Sequence, residues 1–434
     1  MLDKDNIFFK KKILIYGLGK SGLSAYKFLK KNNKIYLYDD NKIKNQNLEI
    51  KKKLIQYQDI IHEKIDCIII SPGIDIKKCK LKNFLKKNLG KIHTDLDIFY
   101  YYNKKNKNIT ITGTNGKSTT VKIIYEVLKC QKIDARLVGN IGNPILSEKK
   151  ITPKTVFVIE ASSYQLEYSK IFKSHLAAIL NISPDHLERH GSIRNYIKAK
   201  FKLIKTQTKK DFTFLNTNNL FIKRYLSGQR ILSKIIKINK TVQSKVLKKI
   251  DNSNFLSDGN KENLSFVFEI AKKMKISKNN LFKVLQKFNG LDFRQQVIFK
   301  SKNLIIINDS KATSFSSTVS ILRSITNVYW IVGGQAKKGD KFLLNKSECK
   351  NMEAYIFGKN KKFFINKLKK KINYQLFDDL KSSIKKILID VKKNNKKQHI
   401  ILFSPAAASF DSFKNFEDRG NYFNHLIKGM LDAE

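Results

Sequence analysis

The segment Gly113-Thr114-Asn115-Gly116-Lys117-Ser118, followed by Thr119, combines the residue types that hold phosphate groups. Glycine lets the main chain approach an anion closely, the lysine ammonium offsets its charge, and a serine hydroxyl is a hard oxygen that suits Mg²⁺. An apolar run, Ile109-Thr110-Ile111-Thr112, leads in, and helix-compatible spacing runs from Lys117 to about Lys129. Strand, loop and helix N-terminus thus succeed one another in the order that directs backbone N–H groups and the positive helix end at phosphate oxygens. Only Thr114 and Asn115 separate Gly113 from Gly116, fewer than in the ordinary phosphate loop, so this is a variant of that pattern.

Two more side chains stand where a metal ligand is expected. Glu160 closes the apolar run Val156-Phe157-Val158-Ile159, and His186 comes after the run Ala177-Ala178-Ile179-Leu180 within Asp185-His186. A lone Glu or His is more often structural, but at strand ends beside a phosphate loop either can meet a cation. Near the N-terminus, Ile13-Leu14-Ile15-Tyr16 precedes Gly17-Leu18-Gly19-Lys20-Ser21-Gly22, with Asp39 further on, which is the form of a dinucleotide fingerprint. No hydride-transfer constellation accompanies it, and the phosphate loop already serves a different chemistry. A dinucleotide site and a purely structural turn both stay open as readings of the glycines.

These residues need parallel sheets to position them. Strands at Ile13–Tyr16, Ile35–Tyr38 and Cys67–Ile70 alternate with helical spacing, the last ending in Ser71-Pro72-Gly73. A second unit opens near Asp95 with the phosphate-loop strand and adds runs at 156–159, 177–180 and 212–215, closing on a helix from Lys261 to Met274. Between Lys205 and Gly259 no clear period appears, and short strands and turns are expected. A third unit opens near Leu291, with strands at 304–307, 328–332, 355–357 and 400–403 and a helix from Ser314. Strand-helix alternation argues an α/β chain whose ligands lie at strand carboxyl ends. Three domains fit the 434 residues, with boundaries expected at 1–94, 95–290 and 291–434.

The phosphate loop and three segments C-terminal to it resemble the Mur ligase family, whose members join an amino acid or peptide to a UDP-muramoyl carboxylate. The match runs through Glu160-Ala161-Ser162-Ser163-Tyr164-Gln165, Asn181-Ile182-Ser183-Pro184-Asp185-His186 and Tyr196-Ile197-Lys198-Ala199-Lys200. It implies that Ser118, Glu160, His186 and a carbamylated Lys200 hold two Mg²⁺ ions, although lysine and arginine together number 86 and nothing else distinguishes Lys200. It also implies substrate contacts from Asn140, Ser162, Gln165 and His186. Lys20, Ser21, Asp39, Ser71 and Gly73 fall at positions that hold the UDP group in the family's D-glutamate-adding branch.

Asn308-Asp309-Ser310-Lys311-Ala312-Thr313 and the run from Ser404 to Gly420 are similar to the same branch. By that resemblance Thr313 and Lys337 bind the α-carboxylate of D-glutamate, and Ser409 and Phe416 its side-chain carboxylate. Lys338 competes with Lys337 for the first role. Asn263, Arg294 and Asp309 hold the nucleotide, and Lys311 joins Lys117, His186 and Lys200 in catalysis. The family's fold is then expected: a Rossmann-like UDP-binding domain, a central P-loop-type ATPase domain and a Rossmann-like C-terminal domain. The expected reaction is ATP-dependent addition of D-glutamate to UDP-N-acetylmuramoyl-L-alanine through an acyl phosphate. Asp292-Phe293 before Arg294, and Ser314 after Thr313, depart from the family's usual residues.

Composition limits the competing classes. The formal charge of +50 is spread along the chain as lysine instead of forming a stripe or tail, which argues a solvated surface and no nucleic-acid partner. Salt-sensitive DNA retention with stimulated ATP hydrolysis would mark the alternative, a nucleic-acid-binding ATPase. Four scattered cysteines cannot make a disulfide framework, and Met1 to Asn6 opens no signal peptide. No apolar run approaches the roughly 20 residues of a membrane span. The expectation is a cytoplasmic monomer acting on small molecules. Another Mur-type or folylpolyglutamate-type ligase is the nearest alternative.

Overall fold

The computed structural model describes residues 7–41, 48–239, 242, 244–255, 257–337, 339–393 and 398–432. The N-terminal residues 1–6, where a leader would begin, and Lys338 lie outside these. The chain carries three sheets. The first joins β1 (Lys12–Tyr16), β2 (Lys34–Tyr38), β3 (Cys67–Ile70) and β4 (Ile92–His93) in the order β2-β1-β3-β4. The second joins β5 (Asn108–Thr112), β6 (Ala135–Gly139), β7 (Val156–Glu160), β8 (Leu176–Ile179), β9 (Phe212–Asn216) and β10 (Lys234–Ile238) in the order β10-β9-β8-β5-β7-β6. The third joins β11 (Gln296–Lys300), β12 (Leu304–Asn308), β13 (Val328–Gly333), β14 (Met352–Phe357), β15 (Asn373–Leu376) and β16 (His399–Phe403) in the order β11-β12-β16-β13-β14-β15. All neighbours pair in parallel except β11 with β12.

Parallel strands are covered on both faces, so they read as continuous apolar runs. This is why β1, β3 and β7 are plain in the sequence: β3 is buried at all four positions and β7 at all five. The segment 205–259 differs from the short strands and turns expected. In addition to β9 and β10 it holds the helices Leu220–Leu226 and Ser244–Ile250. Each of these helices buries one residue, Ile222 or Ile250, which is too little to print an amphipathic period. The strand β10 lies at the sheet edge with a mostly uncovered face, so its lysines hide it.

The described residues fall into two compact units, one within Met1–Lys240 and Phe266–Leu281, the other within Thr241–Ser265 and Phe282–Glu434. In the first, one apolar core runs from Ile13, Ile15 and Leu37 of the first sheet to Phe157, Ile159 and Phe201 around the second. In the second, Phe315, Trp330 and Leu402 cover one face of the sheet and Tyr355, Phe403 and Phe423 the other.

The glycine turn after β1 is set by close approach. Gly17 takes a φ of 91°, and a Cβ on Gly22 would stand 1.9 Å from the Gly17 carbonyl oxygen. The helix Lys20–Leu29 can therefore start directly against the turn. Gly22→Ala is expected to destabilise the protein by about 1–3 kcal/mol through overpacking against backbone, read as a lowered urea midpoint.

Candidate active site

Chain order reverses at β5: β7 and β6 lie on one side of it, β8, β9 and β10 on the other. Such a switch point opens a crevice at the strand carboxyl ends, and the phosphate loop occupies it. Gly116, in the left-handed region at φ 83°, caps the helix Lys117–Cys130, and Gly113 sits at φ 157° with its Cβ position 3.1 Å from Leu180. The loop is pinned from β8. Asn115 N–H donates to Asn181 Oδ1 at 2.9 Å, Thr114 N–H donates to the Asn181 carbonyl at 2.9 Å, and Ser183 N–H donates to Thr114 Oγ1 at 3.0 Å.

Two lysines meet at one carbonyl. Lys117 Nζ donates to the oxygens of Gly113 at 2.9 Å and Thr114 at 2.8 Å, and Lys200 Nζ donates to the same Gly113 oxygen at 2.8 Å. Lys200 is 1% exposed, and burial together with the Lys117 charge pushes its amine well below the ordinary lysine range. Lys200 also stands 4.5 Å above the ring of Tyr196, whose hydroxyl lies 3.1 Å from Thr114 Oγ1.

On the other side of the loop, Ser118 Oγ donates to Glu160 Oε2 at 2.6 Å and Asn140 Nδ2 donates to Glu160 Oε1 at 2.7 Å. The contact with Asn140 depends on Gly139, where a Cβ would stand 2.4 Å from the Glu160 carbonyl. A buried carboxylate and a hydroxyl in contact beside a phosphate loop form an oxygen donor set that suits Mg²⁺. His186 caps the short helix Leu187–His190 in a left-handed backbone, with Nε2 3.4 Å from Asp185 and its ring 5.0 Å from Tyr164. The ring of Tyr196 lies 6.4 Å from that of His186 and carries Lys200 on its face, so the two expected ligands flank one tyrosine. Among the described residues no three His, Cys, Asp or Glu side chains gather as a metal cage. Thr119 is partly exposed in the first helical turn.

The expected substrate residues of this unit divide. Ser162 and Gln165 turn on each other in a capping box on the helix Ser163–Glu167. Asp39 accepts from Leu18 N–H at 2.7 Å, and Ser71 Oγ donates to the Gly17 carbonyl at 2.6 Å, so both brace the glycine turn. Lys20 and Gly73 are exposed and Ser21 is half-buried.

In the other unit, Asp309 directly follows β12, buried, accepting from Ser404 Oγ at 2.8 Å and Gln295 N–H at 3.1 Å. Burial pushes its carboxyl up to about 7. The side chain of Gln295 accepts from Ser257 at 3.0 Å and from Asn260 at 3.4 Å, and Asn263 donates to Asn260 at 3.2 Å. Asn263, Arg294 and Asp309 are thus gathered around Gln295. The loops expected to take the amino acid are tied to one another. Phe315 N–H, two residues after Thr313, donates to Asp340 at 2.7 Å, in the loop of Lys337. Gln335 and Ala408 exchange backbone hydrogen bonds at 2.9 and 3.0 Å, which sets that loop beside Ser409. Ser310 Oγ donates to the Phe416 carbonyl at 2.9 Å, and Lys311 Nζ lies 3.5 Å from the centre of the Phe416 ring.

Sequence reasoning missed Asn181, Tyr196 and Arg419 as individual functional groups, although each lies in a quoted motif. Only the fold shows that Asn181 clamps the loop, that Tyr196 backs Lys200 and that Arg419 is buried at 1% exposure.

A phosphate loop at a switch point, with a carboxylate and a hydroxyl in contact beside it, defines a phosphate-binding α/β protein. Residues 111–281 match the Mur ligase middle domain and residues 11–92 the Mur ligase MurD-like N-terminal domain. The chain belongs to the Mur ligase family, and it is an ATP-dependent amide-bond-forming ligase. Its curated relatives include the UDP-N-acetylmuramoylalanine–D-glutamate ligases of Rickettsia bellii, 32% identical over 97% of this chain and 98% of that protein, and of Francisella tularensis subsp. novicida, 36% identical over 83% and 85%. Among solved structures, UDP-N-acetylmuramate-alanine ligase MurC from Thermotoga maritima shares the fold at a TM-score of 0.57 and 16% identity, covering 98% of this chain and all of that one. MurF ligase from Thermotoga maritima in complex with ADP shares it at 0.55 and 13% identity, covering 99% of each. Among the described residues no helix is long and apolar enough to cross a membrane.

The buried Asp309 gives a pH test. Its folded pKa, about 7, lies above the unfolded value of about 3.9. The folded state therefore holds the extra proton, and this group's contribution to stability falls as pH rises between those values. The stability of the wild type relative to Asp309→Asn should decline from about pH 4 to about pH 7 and level off above, as read from urea midpoints across that range. A flat difference would contradict the assignment.

Proposed function

We propose that the chain joins D-glutamate to UDP-N-acetylmuramoyl-L-alanine, with ATP cleaved to ADP and phosphate, in the cytoplasmic synthesis of the peptidoglycan precursor that cell growth and division consume. The observation that carries the reaction type is the 2.6 Å contact of Ser118 with Glu160 at the mouth of the phosphate loop. The acceptor is supported by the names of the relatives, D-glutamate ligases over nearly the full chain.

A carboxylate does not condense with an amine at neutral pH, so it must first be activated. The γ-phosphoryl group passes to the substrate carboxylate, giving an acyl phosphate and ADP. The D-glutamate amine then attacks the carbonyl carbon, loses a proton and expels phosphate. Lys117 neutralises the transferring phosphoryl group, as such transfer requires. Asn140 fixes the Glu160 carboxylate, and the clamp from Asn181 keeps the loop amides aimed at the phosphates. Two Mg²⁺ ions, when bound, neutralise charge on the phosphoryl oxygens. Ser118, Glu160, His186 and Lys200 would hold them.

Lys200 fits this role as a carbamate. Its depressed basicity leaves a neutral amine, the form that attacks CO₂, and loss of one proton gives an anionic oxygen ligand. Thr313 and Lys337 would take the α-carboxylate, Ser409 and Phe416 the second carboxylate, and Asn263, Arg294 and Asp309 the nucleotide. Domain boundaries near 94 and 290 suit this division, since β1–β4, β5–β10 and β11–β16 fall on successive sides of them. We take the working form to be a monomer.

Purified protein should release phosphate from ATP with UDP-N-acetylmuramoyl-L-alanine only when D-glutamate is added, and not with L-alanine, L-lysine or diaminopimelate. Equal release without D-glutamate would remove the reading. Lys200→Ala should lose at least about 100-fold in rate, with partial recovery by short-chain carboxylic acids. Full activity without such additives would rule out the carbamate.

A further inference from the structure

Arg419 is among the largest fully buried side chains, at 1% exposure, on the helix Phe416–Leu431. Its Nε donates to Ser310 Oγ at 3.1 Å, and its Nη2 donates to the carbonyls of Ser310 at 2.7 Å and Ala407 at 3.0 Å. The remaining nitrogen, Nη1, is buried and has no hydrogen-bond partner. Among the described residues no carboxylate comes within ion-pair distance of this guanidinium. The nearest countercharges are Asp411 and Asp309, and burial pushes both of their carboxyls upward, Asp309 to about 7. A buried cation without a bonded anion is costly to keep.

The place of that charge suggests what offsets it. Arg419 lies three residues into the helix from Phe416, whose N–H, at the first helical position, has no intrahelical acceptor. The Ser310 hydroxyl that accepts from Arg419 donates to the Phe416 carbonyl, and the Ala407 carbonyl that accepts from it lies two residues before Ser409. Nη1 faces Gly334, where a Cβ would stand 3.1 Å from it and 2.7 Å from the Ala408 carbonyl. Thus the guanidinium lies under the segments carrying Ser409 and Phe416, in a helix whose first turn is capped by Asn415 and carries Glu417 and Asp418. Lys311, over the Phe416 ring, adds a second positive group, but it is partly solvated. A buried charge acts through a lower dielectric and is screened less.

We propose that Arg419 is a specificity-determining positioning residue: it supplies, from beneath Ser409 and Phe416, the fixed positive charge that makes this site accept an amino acid with a second carboxylate. The inference rests on the D-glutamate reading of the site. Neutral side chains of the same shape gain nothing from the charge, so the selection is electrostatic and not steric.

The test compares wild type, Arg419→Lys and Arg419→Met in D-glutamate-dependent phosphate release, with thermal unfolding as a control for folding. Arg419→Met should raise the KM for D-glutamate at least tenfold while the KM for ATP moves less than twofold. Arg419→Lys, which keeps the charge but loses the fork, should recover at least threefold of that rise. A purely structural arginine would leave both variants equally impaired or raise both KM values together, and either outcome overturns the proposal, as does an unchanged D-glutamate KM in a folded Arg419→Met. If neither variant folds, wild-type protection against thermal unfolding decides. A preference for D-glutamate over D-glutamine above 100-fold upholds charge selection, and any smaller preference overturns it. A wild type that shows no D-glutamate dependence would instead refute the functional reading itself.

Discussion

The site is organised around one backbone oxygen, the carbonyl of Gly113, on which the amines of Lys117 and Lys200 both converge. Burial, and after it the Lys117 charge beside it, drives the Lys200 amine below the ordinary lysine range. The geometry that puts them there is the end of β5, where a Cβ on Gly113 would stand 3.1 Å from Leu180 and the loop turns into a helix. Everything else at this end of the sheet keeps that carbonyl and its flanking amides in place.

The supports come from different depths of the chain. Asn181 and Ser183 lie just past β8, Glu160 ends β7 and Gly139 ends β6, so strands on both sides of β5 deliver side chains or space to one region. Tyr196 works from the helix Ile193–Lys205, with its hydroxyl on Thr114 and its ring under Lys200. A rigid parallel sheet suits this task, because the positions of its strand ends are fixed by ladder hydrogen bonds instead of by the loops themselves.

The second unit repeats the strategy for a different ligand. The strands β12, β16 and β13 are adjacent, and the segments leaving them carry Asp309, Ser404 and Gly334. Short polar ties, such as Phe315 to Asp340 and Gln335 to Ala408, join those segments beside the packing of Phe315 on Phe342. Buried charge is the cost of that design, visible in the raised Asp309 carboxyl and the incompletely bonded Arg419.

The sequence by itself determined the phosphate loop, the strands with continuous apolar runs, and the class of chemistry, because glycine spacing and buried parallel strands leave local marks. It could not show that Ser162 and Gln165 cap a helix together, or that Asp39 and Ser71 brace a glycine turn, since a polar side chain carries no sign of its partner. Composition and spacing could not separate Lys200 from the other lysines; the family resemblance alone pointed to it. Only the tertiary structure shows its surroundings, because burial against Tyr196 and proximity to Lys117 are not properties of the residue. The helices Leu220–Leu226 and Ser244–Ile250 and the edge strand β10 escaped for the complementary reason: they bury too little to need a hydrophobic pattern.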